Sequence, residues 1–242
     1  MIGQGSGYAS ALSWRRRNAH AAMKILVWLF RILLILIAVI AILIVAYRFV
    51  TPVSTLMLWH DMSGQKVERT FVPLNEISPH LVAAVIASED ARFCKHHGVD
   101  WEALKAVIGS SGENGPSRGA STIPMQTAKN LFLWPSRSVV RKGLEIPLAL
   151  ILNAAWPKRR MLEIYLNIAE WGDGIFGAQA AARFYFHKNA HDLDLREAAL
   201  LATSLPNPFK RDAHAPHPAQ IRLARHIIAA VEANSVPEEC LR

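Results

Sequence analysis

An unbroken apolar run dominates the pattern. Ile25 to Tyr47 reads ILVWLFRILLILIAVIAILIVAY, interrupted only by Arg31. A helix needs about 20 apolar residues to cross a hydrocarbon core of ~30 Å. Arg31 lies near one end, where its stem can carry the guanidinium to the headgroups. The run is longer than the roughly 7–15 residues of a signal-peptide core, and no A-x-A site follows it. It therefore predicts a membrane-spanning helix over 25–47. Arg15, Arg16, Arg17 and Lys24 precede it; Arg48 follows, and then few charges. That bias predicts a cytoplasmic N-terminus and puts the chain beyond about residue 50 outside. Residues 1–24, rich in Gly, Ser, Ala and Arg, read as a disordered cytoplasmic tail.

From Pro73 onward the pattern is helical. Ser78-Pro79 is a cap followed by proline at the first helical position, and Leu81, Val82, Val85, Ile86 and Glu89 follow at helical spacing. Ser110 to Gly119 is a loop of Gly, Ser, Asn and Pro. Ser121-Thr122 caps a helix running toward Leu133. Another runs from Ser138 to about Ala155, with Pro147 as a kink. Pro157 opens PKRRMLEIYLNIAEW. Gly172, Gly174 and Gly177 break the chain before AQAAARFYF, Asp194 begins LREAALLATSL, and Ala219 to Ala233 makes a last helix. No stretch alternates with period two over a useful length, so the expected class is mainly α, with small β content at best.

Composition changes this picture in two ways. The 242 residues carry a formal net charge of +8, which favours anionic partners: nucleic acid, phospholipid surfaces or phosphorylated substrates. Cys94 and Cys240 lie far apart in sequence; outside the membrane a disulfide between them is chemically allowed, but two cysteines make no disulfide framework, and both are expected to be free thiols.

The candidate chemistry begins in ASEDARFCKHHGVD, Ala87 to Asp100. Leu81, Val85 and Glu89 fall at i, i+4 and i+8, so Glu89 shares the apolar face of its helix. Partial desolvation there raises a carboxylate pKa toward the range of a general acid or base. Read alone, a solvated helix end fits as well, although a helix C-terminus disfavours two carboxylates in a row. His96-His97 are adjacent, with no other His or Cys at ligand spacing, so no metal site is expected. In GASTIPMQTAKNLFL, Gln126, Lys129 and Asn130 share one face, near Ser121 and Thr122. Arg137 and Arg141-Lys142 follow, and Glu145 sits where basic and apolar faces meet. Hydroxyl, amide and guanidinium groups opposite an acid suit a phosphorylated carbohydrate; a solvated amphipathic face would carry the same residues.

Five blocks in order, EDARFCKHHG (89–98), GASTIPMQTAKN (119–130), RKGLE (141–145), YLNIAEWGDGIFGAQAAARFYF (165–186) and LREAALLATSLPNP (195–208), resemble the monofunctional peptidoglycan glycosyltransferases. These are stand-alone relatives of the glycosyltransferase domain of class A penicillin-binding proteins. The resemblance covers roughly residues 70–210. Met125, Ala120 and Leu144 depart from the usual family pattern. No transpeptidase domain is expected, since nothing follows Arg242.

The resemblance implies a lysozyme-like α-helical glycosyltransferase domain over 73–242, reached through a connector at 48–72. A small membrane-associated jaw would span roughly 105–165. It implies an enzyme, a hexosyltransferase that polymerises lipid II at the outer face of the bacterial cytoplasmic (inner) membrane, with the growing glycan chain as donor. Glu89 would be the general base on the acceptor 4-hydroxyl. Glu145 would position the diphosphate leaving group or a bound cation. Lys129, Arg137 and Arg141 would neutralise the diphosphate, and Ser121, Gln126 and Asn130 would hold sugar and phosphates. No cofactor is required, although the diphosphate leaves room for a divalent cation, Mg or Mn. The implied partners are lipid II, the glycan chain, the membrane and other wall-synthesis or division proteins, and no nucleic acid. A lysozyme-like lytic enzyme and a non-catalytic membrane scaffold are the alternatives. The basic cluster and the membrane span disfavour the first, and the presence of both Glu89 and Glu145 disfavours the second.

Overall fold

A computed structural model describes residues 5–109, 120–136, 138–233 and 238–241. The expected loop at 110–119 and Arg137 lie outside the described residues, so the segment expected to form a jaw, roughly 105–165, is described only in part. The chain divides into two compact units, 1–46 and 47–242.

The described residues of the first unit form one helix. α1, Gly5–Tyr47, includes an apolar stretch, Met23–Tyr47, of 25 residues. At 1.5 Å per residue that stretch is about 38 Å long, enough to span a bilayer with some tilt. The expectation of a disordered tail is corrected from Gly5 onward, where the backbone is helical. Alanines at 9, 11, 19, 21 and 22 favour helix. Growth from an existing helix also avoids the cost of nucleation.

The second unit begins with the connector, which is more ordered than a linker. α2, Thr55–Met62, is capped by Ser54, whose side chain accepts from Met57 N. Arg48 donates to the Ala155 carbonyl, and Arg160 to the carbonyls of Tyr47 and Val50. Thr55 Oγ1 bonds the carbonyls of Asn130 and Leu133. A two-residue strand β1, Glu68–Arg69, follows.

The helical body then unfolds in order. α3, Pro79–Glu89, is capped by Ser78 and buries Leu81 to Ile86. α4 spans Trp101–Gly109 and α5 Ile123–Phe132. α6, Val139–Ala155, runs through Pro147. Proline removes the bond to the carbonyl four residues back and crowds it; that residue is Gly143, which has no side chain to add to the crowding. α7 spans Lys158–Ile168, and α8, Ala178–Phe186, ends at His187 in the left-handed conformation. α9, Leu195–Ser204, opens on a reciprocal capping box between Asp194 and Glu197. α10 is Pro218–Ala233.

β2, Glu170–Gly172, and β3, Ile175–Phe176, form a hairpin; β3 pairs antiparallel with β2 and parallel with β1. The mainly α expectation holds, with this small sheet as the only β structure among the described residues. α3 packs against α9 and α10, and α5 against α6 and α7. Trp171, Tyr165, Phe93 and Phe176 are fully buried around α7 and the hairpin.

The free-thiol expectation is corrected. Cys94 and Cys240 form a disulfide, with Cα atoms 5.6 Å apart across a sequence separation of 146. The short helical turn Glu238–Leu241 brings Cys240 back to the loop after α3. Sequence spacing carries no information about that approach.

Candidate active site

α3 ends on two carboxylates, and the structure gives them different partners. Asp90 caps α3 and is buried. Its oxygens accept from His96 Nε2 at 2.8 and 3.0 Å and from the backbone N–H of Ile123 at 2.9 Å. Ile123 opens α5, so Asp90 turns from an unfavourable helix C-terminus to a favourable N-terminus. Thr122, the cap of α5, also donates to the Gly98 carbonyl at 2.6 Å. These bonds fix α5 against the end of α3. His96 thus has a structural role within the loop, while His97 is exposed.

Glu89 faces the other way, into a cleft of about 500 Å³. Gln126 Nε2 donates to Glu89 Oε2 at 2.7 Å, and Tyr165 Oη donates to Gln126 Oε1 at 3.1 Å. Tyr165 therefore sets which way the Gln126 amide points, and Gln126 in turn orients the carboxylate. Burial raises the Glu89 pKa above the ordinary carboxylate value. The Gln126 bond and the charges of Lys129 and Arg211 oppose that shift, and Asp90 adds to it. A carboxylate poised in this way suits proton acceptance.

The opposite wall is cationic. Glu145 on α6 is 2% exposed. Arg141 bonds its Oε1, and Lys142 Nζ bonds its Oε2 at 2.8 Å. Lys142 Nζ also donates to Ser121 Oγ at 2.6 Å, tying α6 to the approach to α5. Lys129 lies between the two carboxylates in charge terms. Burial lowers its pKa, Glu145 and Glu89 raise it, and Arg141 and Lys142 lower it further. Lys129, Arg141 and Lys142 together outnumber Glu145, so this wall offers net positive charge to an anion.

Glu89, Ser121, Gln126, Lys129, Arg141 and Glu145 all line this one cleft. Asn130 does not; it is buried behind it. Arg137 lies outside the described residues. Lys142, which the sequence places in the basic cluster without a role of its own, belongs to the arrangement, as do Tyr165 and Arg211, which the sequence does not single out. Lys142, three residues before Glu145 on a helix, carried a readable signal. Tyr165 and Arg211 act across long sequence separations and carried none.

A divalent cation fits the Glu145 carboxylate poorly, because both its oxygens already meet Arg141 and Lys142. These two side chains supply the positive charge an ion would bring.

Residues 57–231 match the family described as transglycosylase. Several similar proteins are each named biosynthetic peptidoglycan transglycosylase. One from Rhodospirillum centenum is 58% identical over 68% of this chain and 72% of its own length. One from Nitrobacter hamburgensis is 53% identical over 74% and 79%. One from Brucella suis biovar 1 is 50% identical over 93% and 97%. With its acid-and-base cleft inside the matched region, the chain belongs to the transglycosylase family.

Proposed function

We propose that this chain is a peptidoglycan glycosyltransferase that polymerises lipid II by single inverting displacements. The observation that carries the reading is the pairing of Glu89, half-buried and oriented by Gln126, with the Lys129–Arg141–Lys142 wall across one cleft.

The donor bond is α and the product bond β, so the nucleophile must enter opposite the leaving group. Glu89 takes the proton from the acceptor 4-hydroxyl as that oxygen attacks the donor anomeric carbon. The bond from that carbon to the diphosphate oxygen breaks, and its electron pair leaves with the diphosphate. The leaving group needs charge neutralisation more than protonation, which the three cations provide. Glu145 holds Arg141 and Lys142 in position, and no step requires a metal ion. The cationic wall also favours transfer over lytic cleavage, since finished glycan brings no diphosphate to it.

The apolar helix α1 fits a single-pass membrane anchor. We place its N-terminus in the cytoplasm and the second unit on the outer face of the inner membrane. The arginine cluster before the span supports that orientation. So does the Cys94–Cys240 disulfide, which belongs in an oxidising compartment. Val139, Val140, Leu144 and Ile151 are exposed along α6 and suit a jaw surface that dips into lipid. Other wall-synthesis proteins are expected partners.

The test is full-length protein in detergent with labelled lipid II. Long glycan strands and released undecaprenyl diphosphate support the reading. Muropeptides cut from finished wall would make the chain lytic, and neither product would make it a scaffold.

A further inference from the structure

Away from the cleft, His60, Glu170 and Asp173 each offer a ligand atom, and these atoms lie within 4.8 Å of one another. The fold explains the meeting. α2 ends in a turn at Ser63 and Gly64, the latter at φ +70°, and the chain returns along β1. β1 lies beside β3, with Glu68 N donating to the Gly174 carbonyl at 2.8 Å. Glu170 begins β2, and Asp173 stands in the β2–β3 turn, closed by Gly174 at φ +71°. The last turn of α2 therefore faces that hairpin.

His60 is the telling residue. It is 6% exposed, and its Nδ1 is buried with no hydrogen-bond partner. Its Nε2 stands 3.7 Å from Glu170 Oε1. That is too long for a hydrogen bond. It suits two donors sharing one ion, which sit roughly 3–4 Å apart when each is about 2.0–2.2 Å from the metal. Nε2 is the nitrogen turned toward the carboxylates, so ligation there would give it a partner, whereas Nδ1 stays unpaired with or without an ion. The Phe176 ring lies edge-on to the imidazole at 5.4 Å and fixes its plane. Glu170 already accepts one bond, from Gly174 N at 3.2 Å, as a ligating carboxylate commonly does.

We propose that His60, Glu170 and Asp173 form a divalent metal site, suited by its one nitrogen and two oxygens to Zn2+, that clamps α2 to the β2–β3 hairpin. Asp173 is exposed, so an ion can enter from its side and keep water on its open positions. The site is separate from the diphosphate cleft and does not depend on the proposed reaction.

The test uses untagged full-length protein in detergent, stripped with chelator and titrated with Zn2+ by calorimetry. A thermal melt is recorded in parallel. One Zn2+ per chain at micromolar affinity or better, with a raised Tm, is expected. His60→Ala and Asp173→Asn should each weaken binding by about tenfold or more. Asp173 is at the surface, so Asp173→Asn stays informative if His60→Ala fails to fold. Co2+ bound to the parent protein should show the visible absorption of a low-symmetry site of nitrogen and oxygen ligands. No binding up to millimolar Zn2+ overturns the proposal. So does binding that survives either substitution unchanged, since the exposed histidines would then be the ligands. Polymerisation of lipid II is not a readout, so failure here leaves the glycosyltransferase reading untouched.

Discussion

Replacing Lys129 by methionine keeps the length of the side chain and removes its charge. The ammonium lies between Glu89 and Glu145 in the electrostatics of the cleft. A charge-assisted contact to a diphosphate oxygen is worth about 1.5–3 kcal/mol, so kcat/KM for lipid-diphosphate donors should fall roughly 10- to 160-fold. A second consequence concerns pH. Burial holds the Glu89 carboxyl above its ordinary pKa, and the Lys129 charge is one of the forces pulling it down. Without that charge the pKa rises further, and the ionised base is lost at a higher pH. The acid limb of the kcat/KM profile should therefore move upward. Folded stability should change little, because the methionine also relieves the desolvation that depresses the pKa of the lysine itself. The assay is continuous polymerisation of fluorescent lipid II across pH, with a melt on the same samples. An unmoved acid limb, a kcat/KM within about threefold of the parent, or a deficit confined to the acceptor would refute the placement of Lys129.

Two further outcomes are expected. Cys240→Ser opens a covalent loop with a sequence separation of 146, and should lower unfolding free energy by about 2–5 kcal/mol. Denaturant titration in detergent measures it, and adding Cys94→Ser should cost little more; two free thiols in protein purified without reductant would remove the bridge. Alkaline phosphatase fused after Arg242 should be active in cells, and a fluorescent protein exported unfolded should stay dark there. The reverse pattern would overturn the orientation and the access to lipid II with it.

The long elements were legible because cap and period agreed. Ser78-Pro79 before α3, Thr122 before α5 and Asp194 before α9 each stood directly ahead of an apolar helical pattern. α2 was not legible: its eight residues lie in a connector without a clear period. α4 has nine residues, too few turns for a helical period to stand out beside the preceding loop. Strands of two or three residues are too short to show alternation. At the site, Glu89 could be read from the i, i+4, i+8 row, and Glu145 from its place between basic and apolar faces. The roles of Tyr165, Arg211 and His60 could not. Each acts through a partner brought close only by tertiary packing, as do Cys94 and Cys240.

The central claim is that the Glu89 carboxylate accepts the acceptor proton. Glu89→Gln preserves the shape and can still accept from Gln126, but it cannot take a proton at neutral pH. Loss of this half-buried charge should also leave the fold at least as stable above pH 7, because a carboxylate whose folded pKa is raised weakens the folded state once it ionises. The decisive measurement is single-turnover polymerisation of lipid II by this variant, with binding of a phosphoglycolipid inhibitor as control. The account predicts a loss of at least about a hundredfold in rate with inhibitor affinity retained. Polymerisation at the parent rate would contradict it.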